Sequence, residues 1–286
     1  MLQKRLVYAL KYGIWLYLHL KSKCEMKPNC YLLIATLFLN YDHSSRFQLQ
    51  DKLNQLQHVT DTSNKHLTSS WTYFLQHLPV VDKPIVDYKG RAIDYQQKHV
   101  GIIPYDVGTT DLQQCADALM RLRAEFLFQQ NRNQEIGFHF VNGHYYTWND
   151  YCKGFRPTLN GREIKFISTS QSEKNHESLR KYLDIVYSYA STISLAKELK
   201  PANDFEIGTV VIHPGSPGHC FIIIDESRNQ QGEKIYKLAE GYTPAQSIYV
   251  LRNLNERGIN PWYQLKMGVI ETASYRFDNY KLVKFE

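Results

Sequence analysis

Apolar positions along the chain recur in two rhythms, and the switch between them organises the body of the sequence. Between Asp111 and Gln130 they fall at Leu112, Cys115, Ala116, Leu119, Leu122 and Phe126. That is the three- and four-residue spacing of a helix with one apolar stripe. Thr110 offers an N-cap and Asp111 an acid for the first turn, which predicts a helix start there. Leu179, Leu183, Val186, Tyr187, Ala190 and Leu195 predict a second long helix, Glu177 to Leu199, stopped before Pro201. From there the rhythm shortens to β-branched runs, predicting strands at Gly208 to His213, His219 to Asp225, Lys234 to Glu240 and Ser247 to Leu251. Earlier strands are expected at Val100 to Pro104, Ile136 to Val141 and Glu163 to Ser168. Trp71 to Leu78 reads as a short helix or strand stopped by Pro79. Unalternating helices and strands, without an internal repeat, predict an α+β fold with helices packed on a mainly antiparallel sheet.

Composition adds limits. The chain has 286 residues, 43% hydrophobic and 22% charged, which excludes disordered and collagenous classes. The net charge of +6 is unevenly placed: residues 1–27 carry six basic groups and one acid. The rest is nearly neutral and has no basic run, so no nucleic-acid partner is expected. Two apolar runs near the N-terminus, Leu6 to Leu20 and Tyr31 to Leu39, each follow basic residues. The second has the length of a signal-peptide core and is too short to span a bilayer. Residues 1–45 are therefore read as a targeting or upstream segment, with Met26 a candidate start. Residues 46–286 are read as one domain, with 48–57 as a connector, and the protein as exported to the periplasm or cell envelope. A buried or membrane-embedded helix is the alternative for the N-terminus, and membrane contact is expected through that segment alone.

Three cysteines remain in the body: Cys115, Cys152 and Cys220. Their spacing is neither a disulfide framework nor a zinc motif; one pair and a free thiol, or three free thiols, are both open. Ile207 to Asp225 holds the clearest local signal, two β-branched runs around a Pro-Gly-Ser-Pro-Gly turn. Strand alternation puts His219, Phe221, Ile223 and Asp225 on one face and Cys220 on the other, so Cys220 reads as a small buried hydrophobe. Pairing this strand with the next so that Asp225 faces Lys234 also sets His219 opposite Glu240, where a carboxylate can orient an imidazole. Cys115, early in a helix that packs on the sheet, is then the candidate nucleophile, though a cysteine on an apolar stripe is also ordinary core. Cys152, in Asp-Tyr-Cys-Lys-Gly-Phe, is its rival. His139, His144, His213 and His219 show no metal-ligand spacing, and there is no phosphate loop or serine-hydrolase elbow, so no cofactor is expected.

Four strings carry a family resemblance: Asp111 to Leu127, Gly218 to Asp225, Leu238 to Asn253, and Pro261 to Tyr263. Together they resemble domain-of-unknown-function family 4846, over about Trp71 to Tyr263. That resemblance implies a bacterial, envelope-associated protein and supplies no activity. The Gly-His-x-x-Ile-x-x-Asp pattern at 218–225 is also similar to the histidine strand of NlpC/P60 and CHAP cell-wall peptidases. This second resemblance implies a papain-like fold, His219 as general base and Glu240 as the residue that orients it. The leading expectation is thus a cysteine hydrolase or amidase acting on peptide or peptidoglycan amides, with Cys115, His219 and Glu240 as its catalytic residues. A non-catalytic envelope protein that binds a glycan or protein partner is the alternative.

Overall fold

The computed structural model describes residues 70–286, apart from Arg162. The targeting segment and the connector fall outside the described residues. In chain order the elements are α1 (Trp71–Gln76), β1 (His99–Ile103), α2 (Cys115–Gln129), β2 (Gly137–His139), β3 (Tyr145–Thr147), α3 (Trp148–Cys152), β4 (Phe155–Asn160) and β5 (Glu163–Ser168). There follow α4 (His176–Tyr189), α5 (Thr192–Glu198), β6 (Lys200–Pro201), β7 (Thr209–His213), β8 (His219–Arg228), β9 (Lys234–Glu240), β10 (Ile248–Leu251), β11 (Ile270–Glu271), β12 (Arg276–Phe277) and β13 (Lys281–Lys284). Seven strands make one antiparallel sheet in the order β1-β10-β9-β8-β7-β13-β6. Three small hairpins, β2-β3, β4-β5 and β11-β12, complete an α+β fold.

Each sheet face has its own core. Cys220, Ile222, Ala239, Ile248 and Val250 point to the helices, where α2 and α4 add Leu119, Leu122, Phe126, Leu179 and Leu183. Phe221, Ile223, Leu238, Tyr249 and Leu251 point the other way, beneath Phe205, Tyr263 and Phe277. This is the strand alternation expected of a sheet buried on both sides. Each large apolar side chain buried this way contributes about 1.5–3 kcal/mol.

Several elements differ from the sequence expectations for identifiable reasons. Helix α2 begins at Cys115, not at Asp111. The Asp111 carboxylate accepts from the Gln114 side chain (3.1 Å) and the Ala245 N–H (2.7 Å), so it tethers a loop and starts no helix. The carboxylate that serves the helix start is Asp117, accepting the Gln114 N–H at 3.0 Å. Every residue of α2 from Cys115 to Leu127 is buried, its polar side included. The predicted second helix is two, α4 and α5: Ala190 and Ser191 are extended, and the Ser191 hydroxyl accepts the Ile193 N–H to start α5. Strands β3, β4, β6, β11, β12 and β13 and helix α3 lie outside the sequence expectations.

The β8-β9 register also differs. Ile222 pairs with Ala239 and Ile223 with Leu238, two residues from the expected alignment. Beyond an irregularity at Ile224 the pairing shifts by one more, setting Asp225 opposite Lys237 and Lys234 opposite Arg228. The bulge also redirects Asp225, whose carboxylate accepts from Gln76 of α1 at 3.1 Å. A shift of two leaves every side chain near His219 on its expected face, because the side-chain period is two.

Candidate functional site

Glu240 is the last residue of β9, and its side chain shares a face with His219, the first residue of β8. Under the observed register the two are diagonal neighbours, not direct partners, and His219 Nε2 lies 2.8 Å from Glu240 Oε2. The other carboxylate oxygen accepts from two hydroxyls, Tyr249 and Ser274. Tyr249 is the direct cross-strand partner of Glu240 on β10. Ser274 comes from the tight turn between β11 and β12. Both donors are neutral, so they fix the carboxylate's orientation without neutralising its charge.

The helix start supplies the third group. Gly241 follows Glu240 directly, and a Cβ there would stand 2.6 Å from Ala118 Cβ and 2.9 Å from the Gln114 carbonyl oxygen. Glycine thus lets the first turn of α2 close on the end of β9. Gly218 serves β8 similarly, since a Cβ there would meet Thr192 Oγ1 at 2.3 Å. As the first residue of the helix, Cys115 has its Sγ 3.8 Å from the Gly218 carbonyl oxygen. That carbonyl directly precedes His219 at the start of β8, and Cys115 shares its buried cluster with Cys220.

These contacts set the ionisation. The Cys220 thiol, then the His219 imidazolium and the Ala116 N–H, hold the Cys115 thiol well below its ordinary value against the effect of burial. Burial would lower His219, but the charge of Glu240 and the contact with Cys115 outweigh it and raise the imidazole to about 9. Burial pushes the Cys220 thiol well up. Both shifts favour a Cys115 thiolate beside a His219 imidazolium, at a helix end whose dipole favours the anion.

The site is enclosed. Cys115 is 8% exposed, His219 3% and Glu240 0%. The rings of Tyr242 and Tyr275 close over His219, with centroids at 5.0 and 4.9 Å. Behind Glu240 lies the buried Lys98, its Nζ 4.5 Å from the Tyr242 ring centre and 4.6 Å from that of Tyr249. Burial brings this amine down to about 8, while Glu240 opposes that shift.

The three residues predicted from sequence therefore meet, and Cys115 stands in the first helical turn rather than four residues inside it. Cys152 does not join them. It ends α3, where its thiol faces the Glu173 carbonyl oxygen at 3.9 Å and burial raises its pKa. The other histidines are engaged separately, His139 with Glu198 at 3.3 Å and His213 with the Asn279 carbonyl oxygen at 2.5 Å. Tyr249 was missed although pairing the predicted strands at 234–240 and 247–251 would have found it. Ser274 and Tyr275 follow the last predicted strand and carry no pattern that marks them.

Compared with known proteins, the chain matches one family model, described as "Domain of unknown function (4846)", over residues 56–284. No curated protein matches it. No solved structure matches it either.

Proposed function

Because the chain belongs to the domain-of-unknown-function family 4846, whose description states no activity, we propose from the site itself that the protein is a papain-like cysteine hydrolase of amide bonds. The observation that carries this reading is a thiol at the first residue of a buried helix, paired with an imidazole that a carboxylate holds at 2.8 Å. In this reading the Cys115 thiolate attacks the amide carbonyl carbon. Negative charge on the carbonyl oxygen is favoured near the first N–H groups of α2. The His219 imidazolium gives its proton to the departing amine, leaving a thioester on Cys115. Neutral His219 then takes a proton from water, which attacks the thioester and frees the acid and the thiolate. Glu240 is the orienting residue, keeping the ring in place and stabilising its cation, while Tyr249 and Ser274 hold Glu240.

The substrate class, peptide or peptidoglycan amides of a bacterial envelope, is proposed from the likeness of 218–225 to cell-wall peptidases and from the basic-apolar N-terminal segment. Among the described residues no helix is long and apolar enough to cross a membrane. A second reading, a non-catalytic binding protein, is favoured by the enclosure of the site, in which Cys115 is buried and the rings of Tyr242 and Tyr275 pack against His219.

The test has two parts. In the folded protein near neutral pH, iodoacetamide should modify Cys115 well before Cys152, because the thiolate is the reactive form. Purified peptidoglycan and a mixed peptide pool should release new amino groups with the wild type and none with Cys115→Ser. Equal alkylation of the cysteines, or a Cys115 that reacts only on unfolding, would leave the binding reading.

A further inference from the structure

Cys220 lies outside the proposed catalytic set, yet it is the strongest influence on the Cys115 thiol. It is fully buried on the helix-covered sheet face, in the same cluster as Cys115. Its place follows from alternation along β8: the residue after His219 must point towards α2, and the first residue of α2 stands there. Cys115 Sγ lies 3.8 Å from the carbonyl oxygen of Gly218, two residues before Cys220. Both thiols are free. A hydrolase needs one cysteine here, and an alanine would fill the second position with a comparable small apolar group.

We propose that Cys115 and Cys220 form a peroxide-responsive dithiol, an oxidative modification site built into the candidate hydrolase centre. It rests on the reading of Cys115 as a thiolate. The Cys115 thiolate attacks one oxygen of hydrogen peroxide and the O–O bond breaks. The departing hydroxide takes the proton of the His219 imidazolium and leaves as water, and Cys115 becomes a sulfenic acid. The peroxide is reduced by two electrons and the sulfur is oxidised by two. Cys220 sulfur then attacks Cys115 sulfur as the S–O bond breaks, and the departing hydroxide takes the Cys220 thiol proton and leaves as water. One peroxide and two thiols thus give one disulfide and two waters.

Two features favour the thiols in these roles. Cys115 is the attacking thiol because it is the ionised one, and Cys220 the resolving thiol because burial keeps it protonated until a sulfenic acid forms beside it. A second peroxide must diffuse in, whereas the resolving sulfur is already buried beside the site and needs no entry path. Oxidation removes the nucleophile reversibly, and reduction restores it. The pair thereby protects the site from irreversible sulfinic acid formation.

The experiment uses the full-length chain, fully reduced, then exposed to graded hydrogen peroxide, quenched with iodoacetamide and digested without reductant for mass spectrometry. The expected result is a Cys115–Cys220 cross-linked peptide pair. Loss of Cys115 alkylation should run in parallel with the cross-link, dithiothreitol should restore it, and Cys152 should be untouched. The cross-link is read in the wild type, so no variant need fold. In Cys220→Ala the expectation is sulfinic acid at Cys115 and a loss that dithiothreitol does not reverse. If reduced Cys115 alkylates fast but peroxide yields sulfinic acid and no cross-link in the wild type, the dithiol proposal is overturned and the hydrolase reading stands. If reduced Cys115 alkylates no faster than Cys152, the thiolate reading fails, and the proposal with it.

Discussion

His219 and His176 each hold a glutamate oxygen at 2.8 Å, one near the start of helix α2 and one further along it, and the two pairs do different things. His176 meets Glu125, whose carboxylate is already bound by Arg121 Nε at 2.6 Å. Arg121, 1% exposed, also donates to Asp106 and Gln113. Its guanidinium neutralises Glu125, and the half-exposed His176 side chain ends the network at the surface. Glu240 instead has two hydroxyls as its other partners, so its charge is directed at a buried imidazole. The third group also differs: the Phe128 ring packs against His176, whereas a thiol approaches His219. An identical His–Glu distance therefore does not mark a catalytic pair. The burial of the ring, the charge already on the carboxylate and the group beside the imidazole do.

The comparison breaks most visibly through stability. Arg121→Ala should destabilise by about 3–5 kcal/mol, the usual cost of leaving a buried charge without its partner. Urea unfolding measures this, and the folded fraction should keep its fast Cys115 alkylation. A slowed alkylation in folded Arg121→Ala would mean that the two pairs are not separable.

His219→Ala should have the next largest effect. Without the imidazolium the Cys115 thiol moves back up towards its ordinary value, although Cys220 still lowers it, so alkylation near neutral pH should slow by roughly tenfold. His176→Ala should leave the rate within about twofold, since its ring never meets the thiol. Equal rates in the two variants would remove the distinction between the pairs.

Gly241→Ala tests the close approach that brings α2 to the strand ends. The added methyl meets Ala118 and the Gln114 carbonyl, so overpacking should cost about 1–3 kcal/mol. Because it moves the first turn of α2, Cys115 alkylation should also slow, whereas alanine at the open Gly143 turn, where no neighbouring atom lies within 4 Å, should change stability alone. Unchanged thiol reactivity in Gly241→Ala would detach helix placement from thiol activation.

The smallest effect is on the pH dependence of folding, and its sign follows from the two shifts. His219, raised to about 9, stabilises fully below its unfolded value of about 6.5, and this is lost as pH rises through 9. Cys115, lowered, stabilises above its unfolded value of about 8.5, and this is lost as pH falls through its folded value. Between about pH 6.5 and 8.5 the gain and loss cancel, because the proton His219 takes up is the one Cys115 gives up. Urea midpoints should show no pH dependence from the pair in that window. In Cys115→Ser the cancellation is gone, and stability should fall as pH rises through it. A flat profile in the variant as well would contradict the ion pair.

Much of the site was legible because strand faces depend on parity. The register near His219 was misjudged by two, and an even error keeps His219, Phe221 and Glu240 on one face. What parity could not supply was the bulge at Ile224, which turns Asp225 to the helices and allows β8 to run on to Arg228. The start of α2 was illegible for a different reason. Thr110 and Asp111 look like a cap, but Asp111 is drawn away by Ala245, a partner 134 residues distant that no local pattern reveals. The role of Cys220 was half legible: alternation correctly turned it from His219, and only the helix placement shows that this turns it towards Cys115.

In the proposed site His219, held by Glu240, is the counter-ion of a Cys115 thiolate. Ultraviolet absorbance of the thiolate, titrated with pH in the folded wild type and subtracted from that of Cys115→Ser, measures this without a substrate. The expected result is one thiolate already present at pH 7, retained to lower pH and diminished there by His219→Ala. A difference signal that appears only as pH rises through about 8.5, as for an ordinary thiol, would contradict it.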